Sequence, residues 1–212
     1  DTGLYQNKED ILNSPRRLGS TQTKLGDIGY TDVNGDGKID GEDQVRIGKP
    51  TMPHFTYAFD FSLGYEGFTL SGLLYGTGER YMTFGNRYQS GEGKYLYYEN
   101  QLNYWRPDNT GADFPRISIS SGVNGNNNKA GSTFWMRNAS YLRLKDLQLS
   151  YDFKYKYLKK CDWLQTCRVN LSGSNLFTIS GVGKFFDPET SSTSGDGYPV
   201  QRVYSIGVTI GF

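Results

Sequence analysis

The protein has 212 residues, of which 27 are Gly and 17 are Tyr, and its formal net charge at pH 7 is +1. A near-zero net charge removes the main argument for nucleic-acid binding, which needs a basic surface. The single histidine, His54, excludes His-rich zinc sites and leaves one residue for any Ser-His-Asp triad. No apolar run approaches the roughly 18–20 residues of a membrane helix, but barrel strands are only half apolar, so a membrane barrel is not excluded.

An acidic, glycine-containing loop stands out in the first segment, residues 1–53. Residues 32–43 read DVNGDGKIDGED and place oxygen ligands at the spacing of a calcium loop, with a glycine at the sharp turn. The candidate ligands for calcium or another hard cation are Asp32, Asn34, Asp36, Asp40 and Asp43, with the backbone carbonyl of Lys38. The last ligand position holds Asp where Glu is usual, which weakens the case for bidentate ligation. The alternative is an Asx-rich turn held by side-chain-to-backbone hydrogen bonds.

Alternation of apolar and polar residues predicts that the rest of the chain is built from β-strands, with no convincing amphipathic helix. The predicted strands cover about 54–65, 67–78, 140–154, 167–178 and 201–212. In the first strand every odd position from Phe55 to Tyr65 is apolar. In the third strand the same rule places Arg143 and Lys145 on the otherwise apolar face. We expect these two cations near its external end, where a charge facing lipid costs about 0–1 kcal/mol.

The last strand has the clearest alternation, and it ends on an aromatic residue. Its apolar positions are Tyr204, Ile206, Val208, Ile210 and Phe212. This pattern resembles the assembly signal of outer-membrane barrels. The alternative is a sandwich strand that happens to lie at this place in the chain.

The lengths of the connections between strands provide an independent criterion for choosing between a barrel and a sandwich. Outer-membrane barrels alternate short periplasmic turns with long external loops. Residues 79–139 and 179–200 form two long connections, which we expect to be extracellular together with segment 1–53. The connections at 66–67 and 154–166 are short and are expected in the periplasm. A sandwich gives no reason for this order.

Aromatic residues are concentrated in the two long connections. Tyr104, Trp105, Phe185 and Phe186 are the predicted ligand or partner contacts, because exposed rings stack on sugars or anchor a partner surface. Tyr95 and Tyr97 belong to the same group. The alternative is that these rings pack the long loops against themselves.

Sequence motifs give no support for an enzyme. No pair of carboxylates is singled out for glycosidase chemistry, and there is no phosphate-binding loop, dinucleotide fingerprint or nucleophile elbow. Cys161 and Cys167 resemble neither a metal nor a redox motif. Their spacing is compatible with a small disulfide loop or with two free thiols.

A series of short motifs, in order along nearly the whole chain, resembles the C-terminal end of SusC/RagA-type TonB-dependent outer-membrane transporters of Bacteroidetes. They are GDI at 26–28, DVNGDGKID at 32–40, IG at 47–48, YWRPDN at 104–109, PR at 115–116, NASYLRLK at 138–145, NLF at 175–177, DPE at 187–189 and the strand from Tyr204 to Phe212. Each motif alone is weak, but their common order makes the resemblance specific.

This resemblance implies an all-β fold, the C-terminal portion of an antiparallel transmembrane β-barrel of about 22 strands with long extracellular loops. It also implies a SusD-like surface lipoprotein partner, contact with outer-membrane lipid, energy from the TonB complex, and glycans or oligopeptides as substrates. The family's plug and TonB-contacting segment have no counterpart in this sequence, so we expect a C-terminal fragment, with TonB contact through a missing N-terminal part. The alternative is a secreted, calcium-stabilised β-sandwich that binds glycans.

Overall fold

The computed structural model describes residues 1–89, 98–117, 126–190, 192–194, 197–198 and 200–212. The strands are β1 (Gly3–Leu4), β2 (Arg16–Arg17), β3 (Ile28–Gly29), β4 (Lys38–Ile39), β5 (Phe55–Tyr65), β6 (Phe68–Gly78), β7 (Tyr81–Thr83), β8 (Met136–Asn138), β9 (Tyr141–Asp152), β10 (Thr166–Ser180) and β11 (Val203–Gly211). The helices are α1 (Lys8–Asn13) and α2 (Asn86–Gln89), and 3₁₀ turns lie at Gly41–Asp43, Glu99–Leu102, Asn127–Lys129 and Thr133–Trp135. Among these residues no helix is long and apolar enough to cross a membrane.

Five long strands form one antiparallel sheet in the order β11–β10–β9–β6–β5. Each begins and ends within two residues of the bounds given by the alternation. A two-residue turn joins β5 to β6, with positive φ at both Glu66 and Gly67, as the twist of a tight hairpin requires. Because neighbours are antiparallel, this turn and residues 153–165 lie at one end of the sheet. The long segments 1–54, 79–140 and 181–202 all leave from the opposite end.

The register of the sheet separates an apolar face from a polar face. One row across all five strands carries Leu63, Leu70, Leu149, Leu171 and Ile206. The next row carries Ser62, Ser71, Gln148, Ser172 and Ser205. The apolar face is solvent-exposed in this chain: Ile206 is 77% exposed and Leu63 is 64% exposed.

A β-sandwich requires a second sheet packed on the apolar face. The other sheets formed by the described residues have two strands each, and all of them lie in the long segments at one end. The long sheet therefore has the form of a wall with two different faces rather than one half of a sandwich.

A β-bulge in β9 corrects the prediction for Arg143 and Lys145. In β6, Leu73 pairs with Asp146 and the next residue, Leu74, pairs with Leu144, so Lys145 has no cross-strand partner. One extra residue reverses the alternation on the far side of the bulge. Leu144 therefore joins the apolar face, and Arg143, paired with Tyr75, joins the polar face. Neither cation faces the apolar side.

The facing segment of β10 has a matching irregularity. Ser174 pairs with Asp146 and Phe177 pairs with Leu144, which leaves Asn175 and Leu176 between them. Asn175 has a φ of 55°, a left-handed conformation that Asn tolerates better than most residues. An insertion of two residues, unlike the single extra residue in β9, leaves the alternation of faces along the strand unchanged. Phe177 therefore stays on the apolar face.

Three glycines of β6 leave room for aromatic rings of β5. Phe61 lies over Gly72, Tyr57 over Gly76 and Phe55 over Gly78, each directly opposite in the register. A Cβ on Gly72 would lie 2.7 Å from the Phe61 ring and 3.0 Å from the Asp146 carbonyl oxygen. These contacts fix the aromatic side chains of the edge strand on the sheet surface.

The two cysteines are not joined. Cys161 and Cys167 are free thiols, and both are half-buried. Of the two alternatives left open by their spacing, the free-thiol state is the one in the structure.

Candidate functional site

The three long segments fold together at one end of the sheet into an assembly that we call the loop cap: residues 1–54, 79–140 and 181–202, as far as they are described. Its hydrophobic core takes residues from each segment: Ile28, Met82, Phe84, Tyr88, Phe114, Trp135, Ala139, Val182 and Phe186. Ile28, Trp135 and Val182 have no solvent exposure. The long segments are therefore one packed unit held over the end of the sheet.

Phe84 is at the centre of this core. Its ring centroid lies 4.8 Å from that of Tyr88, 4.9 Å from that of Phe185 and 6.2 Å from that of Trp135. The last two contacts are edge-to-face, the arrangement that the ring quadrupole favours. Such pairs add about 0.5–1.5 kcal/mol beyond area burial, so these contacts contribute substantially to the order of the cap.

The predicted contact residues Tyr104, Trp105, Phe185 and Phe186 lie within this packing and not on an open surface. Trp105 and Phe186 are each only 8% exposed, and Tyr104 and Phe185 pack against the core. The indole N–H of Trp105 donates to Gln6 Oε1 at 2.9 Å. These four rings therefore pack within the loops, and their role as ligand or partner contacts stays a prediction. Tyr95 and Tyr97 lie outside the described residues.

An ionic network attaches segment 181–202 to the polar face of the sheet. Arg143, which is 1% exposed, donates to Asp187 at 2.6 Å, to Glu189 at 2.9 Å and to Thr178 Oγ1 at 2.8 Å. Lys145 Nζ lies 2.7 Å from Glu189 Oε1, and the Tyr141 hydroxyl donates to the same carboxylate at 2.6 Å. All three donors of β9 owe their placement to the bulge at Lys145.

The carboxylate of Glu189 is stabilised in its charged form by this network. Burial alone would raise the pKa of Glu189, but the hydrogen bonds from Lys145 and Tyr141 and the charges of Arg143 and Lys145 outweigh it. The net effect holds the pKa of Glu189 below its ordinary value. The carboxylate is therefore ionised at neutral pH, as the network requires.

Within the loop cap, a second buried ion pair fixes segment 1–54 to segment 79–140. Asp27 has no solvent exposure, and its Oδ1 lies 2.7 Å from Arg116 Nε. Asn128 donates to the same oxygen at 3.0 Å, and the Asn127 side chain donates to the Ile28 carbonyl at 2.8 Å. Segment 1–54 is thus bound to residues more than 80 positions away in the chain.

The cap also contains an open cavity of about 300 Å³. Its polar lining includes Arg16, Arg17, Ser20, Thr23, Tyr30 and Asn127. Burial raises the pKa of the Tyr30 phenol well above its ordinary value, and the hydroxyl donates to the Asn127 carbonyl at 2.6 Å. None of the predicted site residues lines this cavity.

The acidic loop is held by hydrogen bonds from its own backbone. Asp32 accepts from Gly35 N–H at 2.6 Å and from Gly37 N–H at 2.8 Å, and Asp43 accepts from Val33 N–H and Asp40 N–H, both at 2.8 Å. Bonds from Asp40 and Val33 lower the pKa of the Asp43 carboxyl. In the described part of the chain, no three His, Cys, Asp or Glu side chains lie together so as to hold a metal ion. These hydrogen bonds are those of an Asx-rich turn, and cation binding by the loop stays a prediction.

The residues of the predicted assembly signal lie on β11, the edge of the sheet. Tyr204, Ile206, Val208 and Ile210 are all more than half exposed, as is Phe212 just beyond the strand. The strand pairs only with β10 among the described strands. Its role in barrel assembly remains a prediction.

Comparison with known proteins relates this chain to TonB-dependent receptors. No family model matches the chain. It is 26% identical over 99% of its length to TonB-dependent receptor P26 of Formosa agariphila, and 27% identical over 86% to TonB-dependent receptor P3 of the same organism. The chain spans about a fifth of the length of these curated relatives, 22% and 19% respectively.

Solved structures of the RagAB peptide importer have the same fold. In its closed-closed state the match has a TM-score of 0.63 and 27% identity, and covers 87% of this chain and 20% of the RagAB chain. In its open-open state the TM-score is 0.62 at 25% identity, with 91% and 20% covered. The chain therefore has the all-β fold of part of a barrel-type transporter. The resemblance to SusC/RagA-type TonB-dependent transporters predicted from its motifs is confirmed.

Proposed function

We propose that this chain forms part of the wall and the external loops of a TonB-dependent importer in the outer membrane. The observation that carries the proposal is the five-stranded sheet with one apolar and one polar face, whose long connections all lie at one end. In such a barrel the apolar face contacts lipid and the polar face lines the interior. No covalent chemistry is needed for this function.

Outer-membrane fractionation and heat modifiability test the location. The protein is expected in the detergent-extracted outer-membrane fraction, and its mobility on gels should change when the sample is boiled, because folded barrels resist denaturation by detergent. A protein recovered freely in the culture medium, with unchanged mobility, would contradict the proposal and favour the secreted glycan-binding alternative.

We propose oligopeptides or glycans as the imported substrates, with a SusD-like lipoprotein covering the loop cap and the TonB complex supplying energy. Similarity to the RagAB peptide importer supports peptides, and the motif resemblance supports both classes.

Uptake of labelled oligopeptides and oligosaccharides should be compared in cells with and without the gene. Affinity purification of the protein through a tag inserted in the loop cap should recover the lipoprotein. Equal uptake of every substrate by both strains would refute an import role.

We also propose that the loop at 32–43 binds calcium, on the strength of its ligand spacing. The loop's carboxylates now accept backbone hydrogen bonds, so binding requires them to turn toward a common centre. A calcium titration decides between a cation site and a turn that needs no ion.

A further inference from the structure

The connection from β9 to β10, residues 153–165, forms a surface that we call the basal turn, at the end of the sheet opposite the loop cap. Backbone hydrogen bonds join it to the ends of the neighbouring strands. Phe153 N–H donates to the Cys167 carbonyl at 2.9 Å, and Gln165 N–H donates to the Gly211 carbonyl at 2.8 Å. Trp163 stacks on Phe212, with ring centroids 5.7 Å apart and planes inclined by 14°.

Exposed aromatic rings of the basal turn extend the apolar face of the sheet. Tyr157 is 69% exposed and Trp163 is 67% exposed. The Tyr157 ring lies 6.3 Å from Tyr151, which pairs with Phe68 and Val169 in the outermost apolar row. Rings with one apolar body and one polar edge occupy the boundary between hydrocarbon and headgroups.

Lysines lie immediately beyond these rings. Lys156, Lys159 and Lys160 are exposed, and no carboxylate of the described chain lies within salt-bridge distance of their ammonium groups. Lys154 differs, because its Nζ donates to the carbonyls of Cys161 and Leu164 within the turn. The acidic side chains at this end are Glu66, Asp152 and Asp162, and Asp152 lies 3.8 Å from Arg168.

We propose that the basal turn is a binding site for the headgroups of anionic phospholipids. Tyr157 and Trp163 place the turn at the depth of the lipid glycerol groups, and Lys156, Lys159 and Lys160 extend from there to the phosphates. Each lysine near an anionic membrane surface strengthens binding to that surface by roughly fivefold. The inference rests on the proposed function, since it requires the apolar face of the sheet to lie in a bilayer.

Quenching of Trp163 by brominated lipids tests this site. The protein is placed in nanodiscs of phosphatidylcholine containing a small fraction of brominated phosphatidylglycerol or, in a parallel series, of brominated phosphatidylcholine. The Trp163 signal is the difference between the protein and its Trp163→Phe variant. At equal mole fraction, phosphatidylglycerol should quench Trp163 several-fold more strongly. The Lys156→Gln/Lys159→Gln/Lys160→Gln variant should lose this preference.

A matched triple variant at the other end, Lys8→Gln/Lys24→Gln/Lys49→Gln, should keep the preference, because these exposed lysines belong to the loop cap. Equal quenching by the two lipids in the unsubstituted protein would overturn the proposal, as would a preference retained by the basal-turn variant. Vesicle flotation separates this failure from failure of the proposed function. A protein that floats without lipid preference lacks only the headgroup site, whereas one that does not float is not a membrane barrel.

Discussion

Arg143 carries a charge almost wholly removed from solvent, and two carboxylates of segment 181–202 depend on it. Replacing it by Met leaves Asp187 without this partner and leaves Glu189 with only Lys145 and the Tyr141 hydroxyl. Breaking a buried ion pair from one side costs about 3–5 kcal/mol. We expect Arg143→Met to detach segment 181–202 from the sheet, which limited proteolysis will detect as faster cleavage within this segment.

Arg168→Met is the matched control for this change. Arg168 is half exposed and lies 3.8 Å from Asp152, so its ion pair is worth about 0–1 kcal/mol. Proteolysis of segment 181–202 should be unchanged in this variant. Equal cleavage rates in the two variants would show that the network does not hold the segment.

Glu189 makes the attachment of segment 181–202 to the sheet dependent on pH. The pKa of Glu189 is depressed in the folded protein, so its contribution to stability is complete above the ordinary value of about 4.5. It is lost as the pH falls below 4.5 and through the depressed pKa. The protection of segment 181–202 against hydrogen exchange, relative to the intrinsic exchange rate at each pH, should therefore fall in that acidic range. A Glu189→Gln variant should show fast exchange at neutral pH and lose this acid step.

Asp36 and Glu42 distinguish a calcium site from a simple turn in the loop at 32–43. Asp36 belongs to the predicted ligand set, and Glu42 is an exposed carboxylate of the same loop outside that set. If calcium binds, Asp36→Ala should weaken binding by about tenfold or more, whereas Glu42→Gln should leave it nearly unchanged. Calorimetric titration measures both. Absence of calcium binding by the unsubstituted protein would assign the loop to the Asx-rich turn alone.

At the scale of single elements, the bulge in β9 makes a test of face assignment possible. Lys145 has no cross-strand partner, so deleting it should keep Leu144 on the apolar face and Arg143 on the polar face. Gln148 is paired with both neighbouring strands. Deleting it should therefore move every side chain of β9 before or after the deletion to the opposite face of the sheet. We expect the heat-modifiable form to persist without Lys145 and to disappear without Gln148.

Lys145→Gln completes this comparison, because it removes the ion pair to Glu189 while keeping the chain length. The Lys145 deletion should resemble this substitution in the yield of folded protein. A deletion as damaging as that of Gln148 would show that the extra residue itself is required for the sheet.

For the whole molecule, the two faces of the sheet should differ in their access to water. Leu171 and Ser172 are adjacent on β10 but point to opposite faces. In a background with Cys161 and Cys167 replaced by Ser, the Ser172→Cys thiol should react with a water-soluble maleimide about tenfold or more faster than the Leu171→Cys thiol, measured in intact outer membranes. The reverse order would contradict a polar interior and a lipid-facing apolar side.

Alternation alone located the five long strands to within two residues, since a strand with different environments on its two faces must alternate in sequence. The ordered series of motifs was sufficient to identify the transporter resemblance. The apolar rows across the sheet also follow from the sequence once neighbouring strands are paired in order.

Only the tertiary structure placed Arg143 and the aromatic residues of the loops. The bulge at Lys145 depends on the cross-strand partners Leu73, Leu74 and the Asn175–Leu176 pair, which the alternation within β9 does not reveal. Likewise, Trp105 and Phe186 become buried because three segments distant in sequence meet over the end of the sheet. The sequence by itself therefore determined the strands and their family resemblance. Long-range packing decided which charged and aromatic side chains are buried.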